Sequence, residues 1–218
     1  MKIIDIPRSG SYQAITSSRN RYGQYVRVRA IPCQPQSSYQ GAVRTRLSGN
    51  AAAWRTLTAS QRAGWADLGT SMIRVDSLGQ SNALTGFQAY CSVNNENLAA
   101  GNSVVSDAPT FQTPSSITTL TITLTAASFS LAYTPTPLGS GERMFTFVSM
   151  QRSAGRSFEG DLRLLAVSAA AAASPADVFS AYQSRFGTPI VGRRVFVRVR
   201  RYYLGFLSGP LTTSAVCA

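Results

Sequence analysis

Histidine is absent from this 218-residue chain, lysine occurs once, as Lys2, and nine acidic side chains face 21 basic ones. Without histidine there is no His-based catalytic triad, no imidazole general base and none of the commonest transition-metal ligand. Cysteine is scarce too. Cys33, Cys91 and Cys217 are an odd, widely spaced set that suggests neither a disulfide framework nor a metal-binding pair, and free thiols fit assembly in a reducing cytoplasm. Long apolar runs are missing. The start, MKIIDIPRSG, is interrupted by Asp5 and Pro7, which does not make a signal peptide, and nothing later approaches membrane-spanning length. The expectation is a chain with no secretion signal and no membrane partner.

What remains is a globular composition: 44% apolar residues can bury a core, and 14% charged residues is low for a disordered chain. The net charge is +12, spread along the chain, with 11 basic and 4 acidic groups in residues 1–105 and 10 and 5 in residues 106–218. All the cations but Lys2 are arginines. The planar guanidinium fork suits bidentate contact with carboxylate or phosphate, so the bias points to an acidic protein or nucleic-acid partner; codon usage and solvated faces give the same bias without a partner.

Residues 1–36 read as an extended arm, with Val26 and Val28 on one face of a strand and Arg27 and Arg29 on the other, ended by Pro32 and Pro35. From Ser38 the period becomes helical. Tyr39, Val43, Leu47, Ala51 and Trp54 form one stripe, with Gly49-Asn50 as a weak point. Thr58-Ala-Ser-Gln61 and Thr85-Gly-Phe-Gln88 are capping boxes that open two more helices, one carrying Trp65 and Leu68 inward to about Gly69, the other running to about Ala100 with Phe87, Cys91, Asn94 and Leu98 on a stripe before Gly101-Asn102. After Asp107–Pro114 the period switches to two: strands are predicted around Leu120–Leu124, Phe129–Tyr133, Met144–Met150, Leu162–Val167 and Val195–Val199. One helix interrupts them, with Ser174-Pro175-Ala-Asp177 as its start and Phe179, Tyr182 and Phe186 on its stripe; the alanine run 169–173 before it reads as a strand end or spacer. The fold expected is α+β: an N-terminal extended arm and three-helix module over 1–105, then an antiparallel immunoglobulin- or fibronectin III-like β-sandwich over 106–218 with one inserted helix.

Few residues could carry chemistry. Glu159 and Asp161 are the one close carboxylate pair, but they flank Gly160 and read as a polar turn. Gly139-Ser-Gly141 lacks the lysine and helix start of a phosphate loop and reads as a hairpin turn. Trp54 and Trp65, interleaved with Arg44, Arg46, Arg55 and Arg62, could stack bases; their stripe positions favour core packing. No catalytic residue, cofactor or metal ligand is predicted, and the chain reads as a non-enzyme. The candidate partner-contact residues are Arg19, Arg21, Tyr25, Arg27 and Arg29 in the arm and Arg194, Arg198 and Arg200 opposite the valines of a late strand.

Two resemblances add to this. Val195-Phe-Val-Arg-Val-Arg200 followed by Gly205-Phe-Leu-Ser-Gly-Pro210 resembles the last two strands of a fibronectin type III domain, although the alanine run and the helix near 175–186 depart from that pattern. More broadly, Arg19-Asn-Arg-Tyr-Gly23, Pro32-x-x-Pro35, Trp54-x-x-Leu-Thr-x-x-Gln-Arg-x-x-Trp65, Leu84-Thr-Gly-Phe87 and Asp107-Ala-Pro-Thr110 resemble a virion-type protein family of tailed bacteriophages and prophages. This resemblance implies a particle protein made in the cytoplasm of a bacterial host and names no activity. The function expected is a virion structural protein, either capsid-associated, a decoration protein or a tail-associated subunit. Its partners would be other virion proteins in a homo-oligomer or lattice. The alternative is a non-specific nucleic-acid-binding protein, packaged or regulatory, with weak contact through the arginines.

Overall fold

The computed structural model describes residues 9–21, 23–30, 37–75 and 78–218. The chain is α+β and divides into two compact units, Met1–Ala42 and Val43–Ala218. In the first unit the arm folds back on itself: β1 (Gly10–Tyr12), β2 (Ile15–Asn20) and β3 (Gly23–Val28) form an antiparallel sheet in that order. The expected turn at Pro32 and Pro35 lies outside the described residues. None of the described residues of this unit is buried.

Helix α1 (Ser38–Thr56) begins in the first unit and ends in the second. Its predicted inward stripe is corrected: Tyr39, Val43 and Leu47 are exposed. The helix packs into a core of the second unit from Asn50 onward. There the Asn50 amide donates to Asn95 Oδ1, and Ala53 and Trp54 pack against a core around Tyr90. Gly49-Asn50 is therefore continuous helix, with Asn50 fully buried. Both capping boxes form. In α2 (Ala59–Ser71) and α3 (Gly86–Ala99) the cap threonine accepts from the third helical N–H while the glutamine side chain accepts from the cap N–H. Between them β4 (Ile73–Val75) pairs with β5 (Ser81–Ala83) as a small hairpin. Helix α3 ends in a Schellman turn: Gly101, at φ +79°, donates to Leu98 O and Asn102 donates to Asn97 O.

The two main sheets follow the two-residue period. One holds β6 (Thr119–Leu124), β7 (Phe129–Thr134) and a short β11 (Ala176–Asp177), in the order β11-β7-β6. The other centres on β12 (Arg193–Tyr203), which pairs on one side with β8 (Arg143–Val148) and on the other with β14 (Leu211–Val216). Outside β8 lies β10 (Arg163–Val167), and the two-residue β9 (Arg152–Ser153) and β13 (Phe206–Leu207) pair with the ends of β12. Leu124, Phe129, Leu131 and Tyr133 from the first sheet share one core with Met144, Val148, Val195, Val197 and Val199 from the second. The inserted helix α4 (Phe179–Phe186) adds Tyr182, whose phenol burial pushes up to about 12. It starts later than predicted because Ala176 and Asp177 pair with Leu131 and Ser130 as a strand, and the Asp177 carboxylate then accepts from the Phe179 N–H. The alanine run forms a turn, with Ala171 at φ +53°.

Helices and sheets are joined within the second unit. The β12–β13 hairpin turns on Leu204 and Gly205, both at positive φ as a type I′ turn requires, and sets Phe206 into the helical core with Trp65, Tyr90 and Val93. Gly205 sits so close to α3 that a Cβ there would lie 2.4 Å from Val93 Cγ1. The Tyr202 hydroxyl donates to Asn97 Oδ1 at 2.6 Å and accepts from Asn102 at 2.8 Å, while buried Asn94 brackets the backbone of Val105 with an N–H donated and an N–H accepted. The expected boundary between residues 105 and 106 falls inside this unit.

Candidate partner-contact surfaces

In the first unit the strand register sorts the arm side chains onto two faces. Tyr12, Ile15 and Val28 stand in one cross-strand row, followed by Ser17 beside Val26 and Arg19 beside Gln24. The opposite face carries Thr16 beside Arg27 and Ser18 beside Tyr25. Arg21 lies in the β2–β3 turn, and Arg29, whose N–H donates to Ala14 O, continues the Arg27 side. The candidates of the arm thus share one small sheet but occupy both of its faces. The apolar face is open: Tyr12 is 75% exposed, Ile15 49%, Val26 41% and Val28 80%.

Arg194, Arg198 and Arg200 lie on one face of β12, as the alternation predicts, but this is a central strand and they are half-buried. Each uses a guanidinium N–H within the unit: Arg194 donates to Arg156 O, Arg198 to Thr212 Oγ1 at 3.2 Å and Arg200 to Ser208 O at 2.8 Å. Burial lowers the Arg200 pKa, as do Arg198 and Arg74, against the pull of Glu96. The same face carries Tyr202, which packs with Ala100 and Phe145.

Arg200 also borders a cleft of about 290 Å³ lined by Arg74, Ser92, Glu96, Phe111 and Phe206. A second cleft of about 610 Å³ shares Arg74, Ser92 and Glu96 and is walled by Leu47, Phe87 and Cys91. Burial raises the pKa of Glu96, and Arg200, Arg74 and Arg46 draw it back. Among the described residues Glu96 is the one carboxyl lining either cleft. Sequence reading missed Glu96 and Arg74, since the α3 stripe was drawn through Phe87, Cys91, Asn94 and Leu98; of these Cys91 and Asn94 are buried, together with Ala89, Tyr90, Val93 and Asn97.

The remaining candidates are structural. Trp65 is fully buried, its indole N–H donating to Ser106 O at 2.7 Å, and Trp54 packs on Phe87 and Tyr90 beneath Arg62. Trp65 is thus a core residue, and Trp54 is half-buried at the edge of the same core. Glu159 is 5% exposed and organises the loop between β9 and β10. It accepts from the Asp161 N–H and from Arg152, and Arg156 lies 3.3 Å away. The Asp161 N–H, then Arg152, hold its carboxyl below the usual range. Asp161 itself pairs with Arg163 at 3.1 Å. Cys91 and Cys217 are buried free thiols raised by burial, and Cys33 lies outside the described residues. Among the described residues no group of metal-ligating side chains gathers, and no helix is long and apolar enough to cross a membrane. No family model, curated protein or solved structure matches the chain.

Proposed function

We propose that this chain is a structural subunit of a virus particle, acting through protein–protein contacts and not through catalysis. The observation that carries this reading is the first unit, a sheet with one apolar face open and none of the unit's described residues buried, in a chain whose second unit has its own cores. A small sheet needs a covered face to be stable, and an assembly supplies the cover. Residues 106–218 of the second unit are read as a fibronectin III-like sandwich with one inserted helix. In chain order β6, β7, β8, β10, β11, β12 and β14 take the places of strands A, B, C, C′, E, F and G. The sheet orders β11-β7-β6 and β10-β8-β12-β14 then match E-B-A and C′-C-F-G. Such a scaffold presents contacts without chemistry of its own.

The resemblance to a virion-type phage family points the contacts toward other particle proteins. Mass spectrometry of density-purified particles from the source culture tests the reading: the chain copurifies at a fixed ratio to the major capsid protein, and its absence from intact particles would sink the proposal. Non-specific nucleic-acid binding is the second reading, favoured by Arg19, Arg27 and Arg29, which stand exposed in a unit whose described residues include no carboxylate. It requires weak, sequence-blind binding that falls steeply with salt.

A further inference from the structure

We infer that the cleft lined by α3, β4 and the β12–β13 hairpin binds a guanine nucleotide, with Glu96 reading the base and Arg74 and Arg200 holding its acceptors and phosphate. The inference is independent of the particle reading and concerns the second unit alone. Among the described residues three carboxylates are not exposed. Glu142 pairs with Arg201, and Glu159 with Arg152 and Arg156. Glu96 is the third. Arg200, Arg74 and Arg46 act on it electrostatically, yet its carboxylate forms no hydrogen bond or ion pair among the described residues. A half-buried charge without donors is costly, and burial raises its pKa accordingly. Space for a donor is at hand, since Arg74, Ser92 and Glu96 line both the cleft of about 290 Å³ and its neighbour of about 610 Å³. These are the dimensions of small-molecule sites.

The charges decide what fits. A simple anion would meet the Glu96 carboxylate, and a simple cation would meet the arginines. A neutral group with N–H donors suits the carboxylate, provided that acceptors and negative charge beside it face the guanidinium groups. Arg74 Nη2 donates to Ser92 Oγ at 3.0 Å and Arg200 Nε to Ser208 O at 2.8 Å, so each guanidinium keeps further N–H donors for a ligand. The walls favour a flat ring: Phe111, 44% exposed, stands edge-to-face on buried Phe206 with 5.4 Å between ring centroids. Of the common bases only guanine carries two neighbouring N–H donors, N1–H and N2–H, that match both oxygens of one carboxylate, and its O6 and N7 accept from guanidinium groups. Adenine and cytosine set a ring acceptor beside their amino group, and uracil and thymine set carbonyls on both sides of a single N–H.

The test titrates the full chain at physiological salt with ribose-labelled guanosine, inosine and adenosine monophosphates (GMP, IMP and AMP), read by fluorescence anisotropy. IMP differs from GMP only in lacking the 2-amino group. GMP should bind about tenfold more tightly than IMP or AMP, the loss expected for one charge-assisted hydrogen bond. Glu96→Gln should abolish the preference for GMP over IMP, whereas Arg74→Gln should weaken both and leave their ratio intact. The ratio in the unaltered protein decides even where the Glu96 variant fails to fold. Arginines of the arm would hold any phosphate without regard to the base, so the ratio reports on the cleft. Equal binding of GMP and IMP overturns the proposal, as do displacement of GMP by an equal concentration of inorganic phosphate, a preference that survives Glu96→Gln, and no binding at about 1 mM nucleotide. A single-stranded tetranucleotide with one guanine, set against its inosine counterpart, separates the two sources of the base. Tighter binding than GMP with the same preference supports the site and assigns it to a nucleic-acid strand; binding no tighter than GMP supports it as a site for the free nucleotide.

Discussion

The two units of this chain place their apolar residues in opposite ways. In the second, Trp65, Tyr90, Phe129, Leu131, Val148 and Val197 have no exposed surface, and several polar groups in and around them are engaged, Trp65 with Ser106, Tyr202 with Asn97 and Asn94 with Val105, while the Tyr90 hydroxyl finds no partner among the described residues. In the first, strands with the same alternation of valine and arginine leave their valines in the open. Alternation makes an amphipathic sheet in both cases, and the presence of a second layer separates a core from an open face.

This contrast can be broken by substitution. The largest effect is expected for Trp65→Ala, which empties a fully buried site and strands the Ser106 carbonyl, at a cost of about 4 kcal/mol in denaturant unfolding. Gly205→Ala should cost about 3 kcal/mol, combining a positive φ with the approach to Val93, and should loosen the hairpin from α3 in hydrogen exchange. Tyr202→Phe removes one hydroxyl from two asparagines and should cost about 1–2 kcal/mol. Val28→Ala in the first unit should stay within about 0.5 kcal/mol; a cost above 2 would mean that the valine face is already covered.

The Glu159 loop sharpens the comparison by pH. Its folded carboxyl titrates below the unfolded value, so the stability it adds is present above that value and is lost as pH falls through the folded one. Amide exchange at Asp161 should therefore accelerate, beyond the intrinsic rate, as pH falls below the usual carboxylate range. Glu159→Gln should remove that change, and an unaltered profile in this variant would exclude the carboxylate as its source.

Much of the fold was legible because its signals are local. Thr58 with Gln61 and Thr85 with Gln88 are complete within four residues, and the threonine-interleaved Leu120, Ile122 and Leu124 declare a strand wherever it pairs. What was not legible depends on partners distant in sequence. The stripe of Tyr39, Val43 and Leu47 shows that α1 has an apolar face but not that it is left open. The start of α4 moved because Ala176 and Asp177 found β7, and the arm became a sheet because Ile15 met Val28. Arg194, Arg198 and Arg200 were read as one face, correctly, but their half-burial follows from β12 lying between β8 and β14, which no alternation encodes.

Limited proteolysis distinguishes a boundary near 105 and 106 from one near 42 and 43: first cuts before Val43, with 101–118 protected through Asn94 and Asn102, are expected. The central claim, that the second unit stands alone while the first exists to bind, is tested most directly by removing the first. A chain beginning at Ser37 should unfold within about 2 °C of the full-length protein, because no residue it loses that the structure describes is buried, and it should no longer copurify with assembled particles. A truncated chain that unfolds far lower, or that still joins the particles, would contradict the account.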